Sequence, residues 1–420
     1  MDENNFIREK IKEKPINKRK VVYKIGISAL CGLVFALVAG VIFAFVEPRA
    51  AALFIKEPET EVRTEETEAT EIAEIVETET QMVETETTEE PEPVKYVLTL
   101  EDYQSIQTEL YRIGTNANKS IVTVTGVMSN TDWFNNSYEN TDQGSGVIIS
   151  DAGTSIQILT ERKNIQGATS ISVSFIDETV ATAELLSYDG NTGLAILSVQ
   201  KGELTPETLS AIQVASIGNS AGVSNGDMVI ALGSPLGTNY SILLGNITSR
   251  NNMITTTDCN YTIFTTDIVA SKKGSGVLIN TAGEIVGVVM QDYSNGNGET
   301  TLTAVSINEL KSVMELLSMG KSIPYLGVEV TTVTEKIARE NDIPKGVYVK
   351  DVEMDSPALL GGIQPGDIIT EIHGDSVSSA TMLNAKLLKC EPGEVIRMLV
   401  KRQTGADYNE LNLEIEIGIK

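Results

Sequence analysis

Gly144-Ser145-Gly146-Val147-Ile148-Ile149-Ser150 sets a Gly-Ser-Gly turn signal directly against three β-branched aliphatic residues. Runs of the same kind lie on either side of it. Ile121-Val122-Thr123-Val124-Thr125-Gly126-Val127 comes before, and Ser170-Ile171-Ser172-Val173-Ser174-Phe175 follows. Branched side chains fit a pleated, half-buried surface, and Gly, Asn and Ser punctuate such runs with turns. Many short strands at this spacing predict an all-β sandwich or barrel.

Working outward, six strings occur in one order: Gly144 to Ile149, Gly193-Leu194-Ala195-Ile196-Leu197, Ile217-Gly218-Asn219-Ser220, Gly233-Ser234-Pro235-Leu236-Gly237, Thr266-Asp267 and Gly283-Glu284-Ile285-Val286-Gly287-Val288. In that order they resemble the HtrA (DegP-like) family of trypsin-like serine proteases, over residues 105–321 and on into the next domain. The resemblance implies a chymotrypsin-like double β-barrel at 98–321. It also implies a homotrimer as one assembly open to the chain, since relatives commonly form trimers through this domain.

The chemistry of that family is carried over less well. The whole chain has one histidine, His373, far outside this region. A Ser-His-Asp mechanism needs an imidazole to take the serine proton. Where the family has Thr-Asn-Asn-His, this chain reads Thr160-Glu161-Arg162-Lys163, so Lys163 stands at the base position. Gly193 stands at the position of the acid. The nucleophile motif Gly-Asn-Ser-Gly-Gly-Pro-Leu matches Lys272-Lys273-Gly274-Ser275-Gly276-Val277-Leu278, which puts Gly274 at the serine position and Ser275 one place late. The stretch from Thr266 to Asn280 is also one residue shorter than the family's spacing, which disturbs the loop that supplies oxyanion-hole N–H groups. A serine-lysine pair, Ser275 with Lys163, is the remaining route to hydrolysis. It needs a lysine depressed toward neutrality, and Arg162, Lys272 and Lys273 are the like charges that could depress it. Otherwise Ser275 is a turn hydroxyl and Lys163 a solvated loop lysine. No residue set suggests a metal site, because zinc calls for His or Cys and this domain has only Cys259; no cofactor is expected.

Residues 322–420 resemble the PDZ domain that HtrA proteins carry after the protease. Pro324-Tyr325-Leu326-Gly327-Val328 matches the loop whose backbone N–H groups receive a peptide carboxylate. Gln364-Pro365-Gly366-Asp367-Ile368-Ile369 is the most characteristic string, and His373 falls in a hairpin turn. Met382 to Leu388 reads as the helix beside the groove. The resemblance implies that a C-terminal peptide pairs with the strand after Gly327 and places its last side chain among Leu326, Val328, Leu383 and Leu387. The plainer alternative is a module that only packs on its neighbour.

The N-terminal quarter is different in kind. Residues 1–24 hold eight Lys/Arg against four acids, and residues 25–46 carry no charge. About 20 apolar residues span a bilayer, so 25–46 is expected to be a transmembrane helix with the basic flank in the cytoplasm. A cleaved signal peptide is the alternative, but its apolar region is usually shorter. Residues 47–97 form an acidic linker in which 57–93 hold fifteen Glu, nine Thr and one basic residue, Arg63. Such a segment buries too little apolar surface to fold and is extended by self-repulsion. A tether explains it; a cation-binding acidic tail is the other reading. The chain's formal net charge of −26 argues against a nucleic-acid partner. Three cysteines, Cys31, Cys259 and Cys390, are too few and too scattered for a disulfide framework.

The expectation is a single-pass membrane protein with its folded domains outside the cytoplasm. It would act as an HtrA-like pseudoprotease that binds or scaffolds protein C-terminal peptides or unfolded segments. The alternatives are an active HtrA-type serine endopeptidase in envelope protein quality control, and a structural cap on the acidic stalk.

Overall fold

The computed structural model describes residues 98–131, 137–294, 301–405 and 407–420. The expected basic segment at 1–24, the membrane helix at 25–46 and the linker at 47–97 lie outside the described residues. Among the described residues no helix is long and apolar enough to cross a membrane.

Twelve strands close into two barrels. The first contains β1 (Ile121–Thr131), β2 (Ser137–Asp151), β3 (Ser155–Glu161), β4 (Ser170–Ser174), β5 (Val180–Tyr188) and β6 (Leu194–Gln200), in the order β1-β2-β3-β6-β5-β4. The second contains β7 (Met228–Ser234), β8 (Ser241–Thr256), β9 (Cys259–Val269), β10 (Ser275–Ile279), β11 (Ile285–Met290) and β12 (Thr301–Ser306), in the order β10-β11-β12-β9-β8-β7. Every neighbouring pair that the register defines is antiparallel, and closure leaves no free strand edge in either barrel.

Successive residues of a strand face opposite sides, and here both sides are apolar where the barrels meet. Val122 and Val124 fill the first barrel together with Ile148, Ile158 and Phe175. Ile121, Val147, Leu159, Leu194 and Ile196 join Ile230, Leu232, Val277 and Val288 in a core that both barrels share. This explains why Leu194 to Leu197 reads as an unbroken apolar run rather than an alternation: Leu194 and Ile196 enter the shared core, Ala195 and Leu197 the barrel's own.

Three helices flank the barrels. Helix α1 (Leu100–Ala117) starts with a capping box in which Thr99 and Asp102 exchange hydrogen bonds, satisfying N–H groups that a helix start leaves unpaired. Helix α2 (Pro206–Ala211) is a short connector capped by Thr205. Helix α3 (Ile307–Ser318) buries Ile307, Leu310, Val313, Met314 and Leu317, a three-and-four spacing that puts one apolar face on the shared core. Its last carbonyls accept from the first barrel: Leu317 O from Ser187 Oγ at 2.6 Å and Ser318 O from Gln157 Nε2 at 2.8 Å.

The C-terminal module holds β13 (Pro324–Tyr325), β14 (Val328–Val333), β15 (Gly346–Val352), β16 (Ile368–Ile372), β17 (Asp375–Ser376), β18 (Val395–Thr404), β19 (Asp407–Glu416) and β20 (Gly418–Ile419), with helices α4 (Glu335–Asn341), α5 (Pro357–Leu360) and α6 (Ala380–Leu387). Its sheet runs β14-β15-β16-β18-β19, with β17 on β16, while β13 pairs with β20. The Gln364 to Ile369 string earns its regularity from Asp367, which is buried and takes a two-pronged contact from Arg402 at 2.7 and 2.8 Å. The groove helix begins two residues earlier than Met382, because Ser379 Oγ accepts from Met382 N and so caps it at Ala380; Leu388 is its C-cap. His373 has φ +53 in the turn between β16 and β17.

Candidate functional site

Two places concentrate the residues singled out from the sequence. The first is the seam where the two barrels meet. Strand β3 ends at Glu161 and the chain makes one 3₁₀ turn over Arg162–Asn164. Arg162 N donates to Gly193 O at 2.7 Å, which sets the β5–β6 turn beside the Lys163 turn. Lys163 Nζ lies 2.8 Å from Glu161 Oε2 and 3.4 Å from Asp292 Oδ2. Asp292 follows β11, whose Met290 is paired with Ser275 on β10. One lysine thus bridges the two barrels. It is not the solvated lysine expected of a loop, since a buried carboxylate holds it.

That ion pair decides the protonation of Lys163. Burial acts to lower its pKa, but the charge of Glu161, then that of Asp292, outweighs burial and leaves it above the ordinary lysine value. The expected depression by neighbouring cations does not occur. Arg162 stacks on the Tyr188 ring with its guanidinium 3.8 Å from the ring centre, and Lys273 lies 3.7 Å from Asp142. Glu161 has the opposite problem. Burial pushes its pKa up to about 7 against the attraction of Lys163, and its Oε1 has no hydrogen-bond partner.

Gly193 has φ +74 with open space where a side chain would begin. The acid nearest in sequence, Asp189, is spent on its own turn, accepting from Asn191 N, Thr192 N and Thr192 Oγ1 at 3.0, 3.1 and 2.7 Å. Ser275 is buried at the first position of β10, not in a turn, and its Oγ accepts from Ser145 N at 2.9 Å. Gly274 N donates to Ser271 O at 2.9 Å, so this N–H is already committed. A Cβ on Gly274 would stand 2.6 Å from Pro235 O and 2.9 Å from Ser271 O. A serine there has no room without a shift of the loop. Hydrolysis by an activated nucleophile needs a nucleophile and base in hydrogen-bond reach. Each candidate here is engaged elsewhere, and none has the other as a hydrogen-bond partner. Among the described residues no group of three His, Cys, Asp or Glu could hold a metal ion.

The second place is the loop between β13 and β14. Tyr325, Leu326 and Val328 are buried, as are Leu383 and Leu387 on α6, and Leu326, Val328, Leu383 and Leu387 share one core. Gly327 has φ +92, and a Cβ on it would fall 2.3 Å from Ser356 Cβ. The loop aims three consecutive N–H groups at one carboxylate, and that carboxylate belongs to the chain. Leu326 N donates to Asp258 Oδ2 at 2.8 Å, Gly327 N to Asp258 Oδ1 at 2.8 Å, and Val328 N to Asp258 Oδ1 at 2.9 Å. Asp258 is the tip of the β8–β9 hairpin of the second barrel, with φ +62. Sequence reasoning missed it because Asp in a hairpin turn is ordinary: aspartate tolerates the left-handed region and is common in turns.

Residues 144–288 match a Trypsin-like peptidase domain and residues 324–417 a PDZ domain. A "Probable periplasmic serine endoprotease DegP-like" from Hahella chejuensis is 30% identical over 282 residues, covering 66% of this chain and 56% of that protein. "Serine protease Do-like HtrA" of Bacillus subtilis is 29% identical over 279 residues, covering 62% of this chain and 60% of its own length. The chain thus spans somewhat over half the length of these relatives. In fold it is similar to the solved structure titled "HtrA-type protease AlgW with decapeptide", with TM-score 0.53 and 23% identity over 74% of this chain and 98% of that one. The chain resembles the HtrA/DegP-like proteins, a trypsin-like peptidase domain followed by a PDZ domain.

Proposed function

We propose that this HtrA-like chain is a membrane-anchored extracytoplasmic pseudoprotease. It binds protein C-terminal peptides or unfolded segments through residues 322–420 and uses the double barrel of residues 98–321 as a scaffold. The observation that carries the reading is the state of Lys163. The residue at the base position is held as a cation by Glu161 and Asp292, and a lysine must be neutral to accept a proton. The glycines at 193 and 274 supply neither acid nor nucleophile. The periplasmic naming of the DegP-like relatives agrees with folded domains outside the cytoplasm. The uncharged run at 25–46 after a basic flank supports the anchor.

The test is hydrolysis by the full-length chain. Loss of triad members lowers rates by about 10⁴ to 10⁶, so unfolded casein should be cut no faster than in a buffer control, and a fluorophosphonate probe should leave Ser275 unlabelled. Cleavage that disappears in Ser275→Ala and Lys163→Met would replace this reading with an active endopeptidase of serine-lysine type. Topology is tested by protease shaving of intact cells, which should release the folded part by cutting within 47–97; protection of that part would remove the anchor from the proposal.

A further inference from the structure

Strand β14 is the edge of its sheet, with β15 on one side only. On its other side lies the β8–β9 hairpin. Thr257 forms an antiparallel bridge with Glu329 on β14, and Asp258 N donates to Val328 O at 2.7 Å. Asn260 Nδ2 reaches Val330 O at 3.2 Å, further along the same edge. From the opposite wall, Asn384 Nδ2 on α6 donates to Asp258 O at 3.3 Å. Thr257 Oγ1 also donates to Glu353, which Tyr325 Oη contacts at 2.6 Å.

These contacts reproduce, group by group, what an added peptide strand would make. A carboxylate takes the three loop N–H groups, the residue bearing it donates its own N–H to the first strand carbonyl, and the preceding residue pairs with the edge. The difference is covalent. The chain continues past Asp258 into β9, and the left-handed turn at Asp258 leads it away.

We infer that the loop 326–328 is a carboxylate-binding site occupied in cis by Asp258, and that a peptide with a free C-terminal carboxylate binds only by displacing the β8–β9 hairpin tip. The inference rests on the peptide-binding reading above for its external ligand, but not for its internal one. Burial pushes the Asp258 carboxyl up to about 6 against the three loop hydrogen bonds that favour its charged form, so it is largely ionised at neutral pH.

Asp258→Gly keeps the left-handed turn and removes the carboxylate; Asp258→Asn keeps the shape and removes the charge. In the full-length chain, amide hydrogen exchange at Leu326, Gly327 and Val328 should quicken at least tenfold in Asp258→Gly and less in Asp258→Asn. Exchange at Val347 and Val349 in the module core should stay as slow as in the parent, which shows that the module is folded. Exchange at 326–328 unchanged in both variants overturns the inference, whatever binds. The second measurement uses two pools of randomised octapeptides, one ending in a free carboxylate and one amidated. The parent chain should retain little of either, and Asp258→Gly should retain the free-acid pool at least tenfold over the amidated pool. Faster exchange with no retention of either pool leaves the internal occupancy standing and removes the peptide-binding function. Retention of the free-acid pool by the parent equal to that by Asp258→Gly overturns displacement.

Discussion

The barrel seam and the carboxylate loop are both sites whose expected partner has been replaced by a residue of the chain itself, yet the replacements differ in kind. At the seam, on the proposed reading, the difference is one of residue type: Lys163 at the base position, Gly193 and Gly274 at those of the acid and the serine. At the carboxylate loop nothing is missing. The three N–H donors, the open strand edge and the apolar wall of α6 are all present, and they are filled by Asp258. Chemistry needs particular atoms, whereas strand addition needs only backbone groups and a fold that aims them.

Glycines separate the two regions most sharply. Gly276, beside the seam, has φ +132, and a Cβ on it would lie 1.9 Å from Leu232 O, a backbone atom inside the β7–β10 pairing. Gly276→Ala should destabilise the barrels by at least about 4 kcal/mol, because backbone strain of about 1 to 3 kcal/mol adds to a clash with a carbonyl fixed in the sheet. Urea unfolding of the barrels measures it, and a loss below about 1 kcal/mol would mean that β10 can shift. Gly327→Ala in the carboxylate loop should cost less, about 2 to 3 kcal/mol, because its nearest contact, Ser356 Cβ at 2.3 Å, is longer than that of Gly276. It follows that Gly327→Asp disturbs the loop even with no ligand present, so lost binding in that variant says little about the groove. Gly193→Asp should be the mildest, costing about 1 to 2 kcal/mol for a left-handed aspartate with open space around it. It should restore no hydrolysis, since Lys163 remains paired. Measurable casein cleavage in Gly193→Asp would erase the distinction between a lost site and a filled one.

The smallest effect is a pH dependence. Glu161 moves from the ordinary 4.5 to about 7 in the folded chain. The folded state then holds that proton more tightly than the unfolded chain, so this group adds stability as pH falls from about 7 toward 4.5 and removes it as pH rises. Asp258, pushed up to about 6, acts in the same direction over the lower part of that window. Glu161→Gln should flatten the upper part of the stability profile and leave the lower part. An unchanged slope between pH 7.5 and 6 would show that Glu161 titrates normally, the attraction of Lys163 fully offsetting its burial.

The barrels and the C-terminal module could be read from the sequence because they depend on local signals: branched runs, turn glycines, and strings such as Gln364 to Ile369. The mismatches expected at Lys163, Gly193 and Gly274 rest on residue type alone and belong to the proposed reading. What Lys163 does at its position was not legible in the sequence. Its partner Asp292 lies 129 positions away, and no local pattern sets that distance. Ser275 likewise reads as a turn residue until β10 is paired between β7 and β11 and its hydroxyl meets Ser145 N.

By itself the sequence determined which residue types stand in each string, and that the chain's one imidazole, His373, lies in the C-terminal module rather than in the barrels. Only the tertiary structure decided that the carboxylate loop is full. Asp258 and Leu326 are separated by 68 positions, and each looks ordinary where it stands, one in a hairpin turn and the other in a glycine-containing loop. Closure of the second barrel fixes the β8–β9 hairpin tip, the packing of the C-terminal module brings its open strand edge to that tip, and three N–H groups then meet a carboxylate at 2.8 to 2.9 Å.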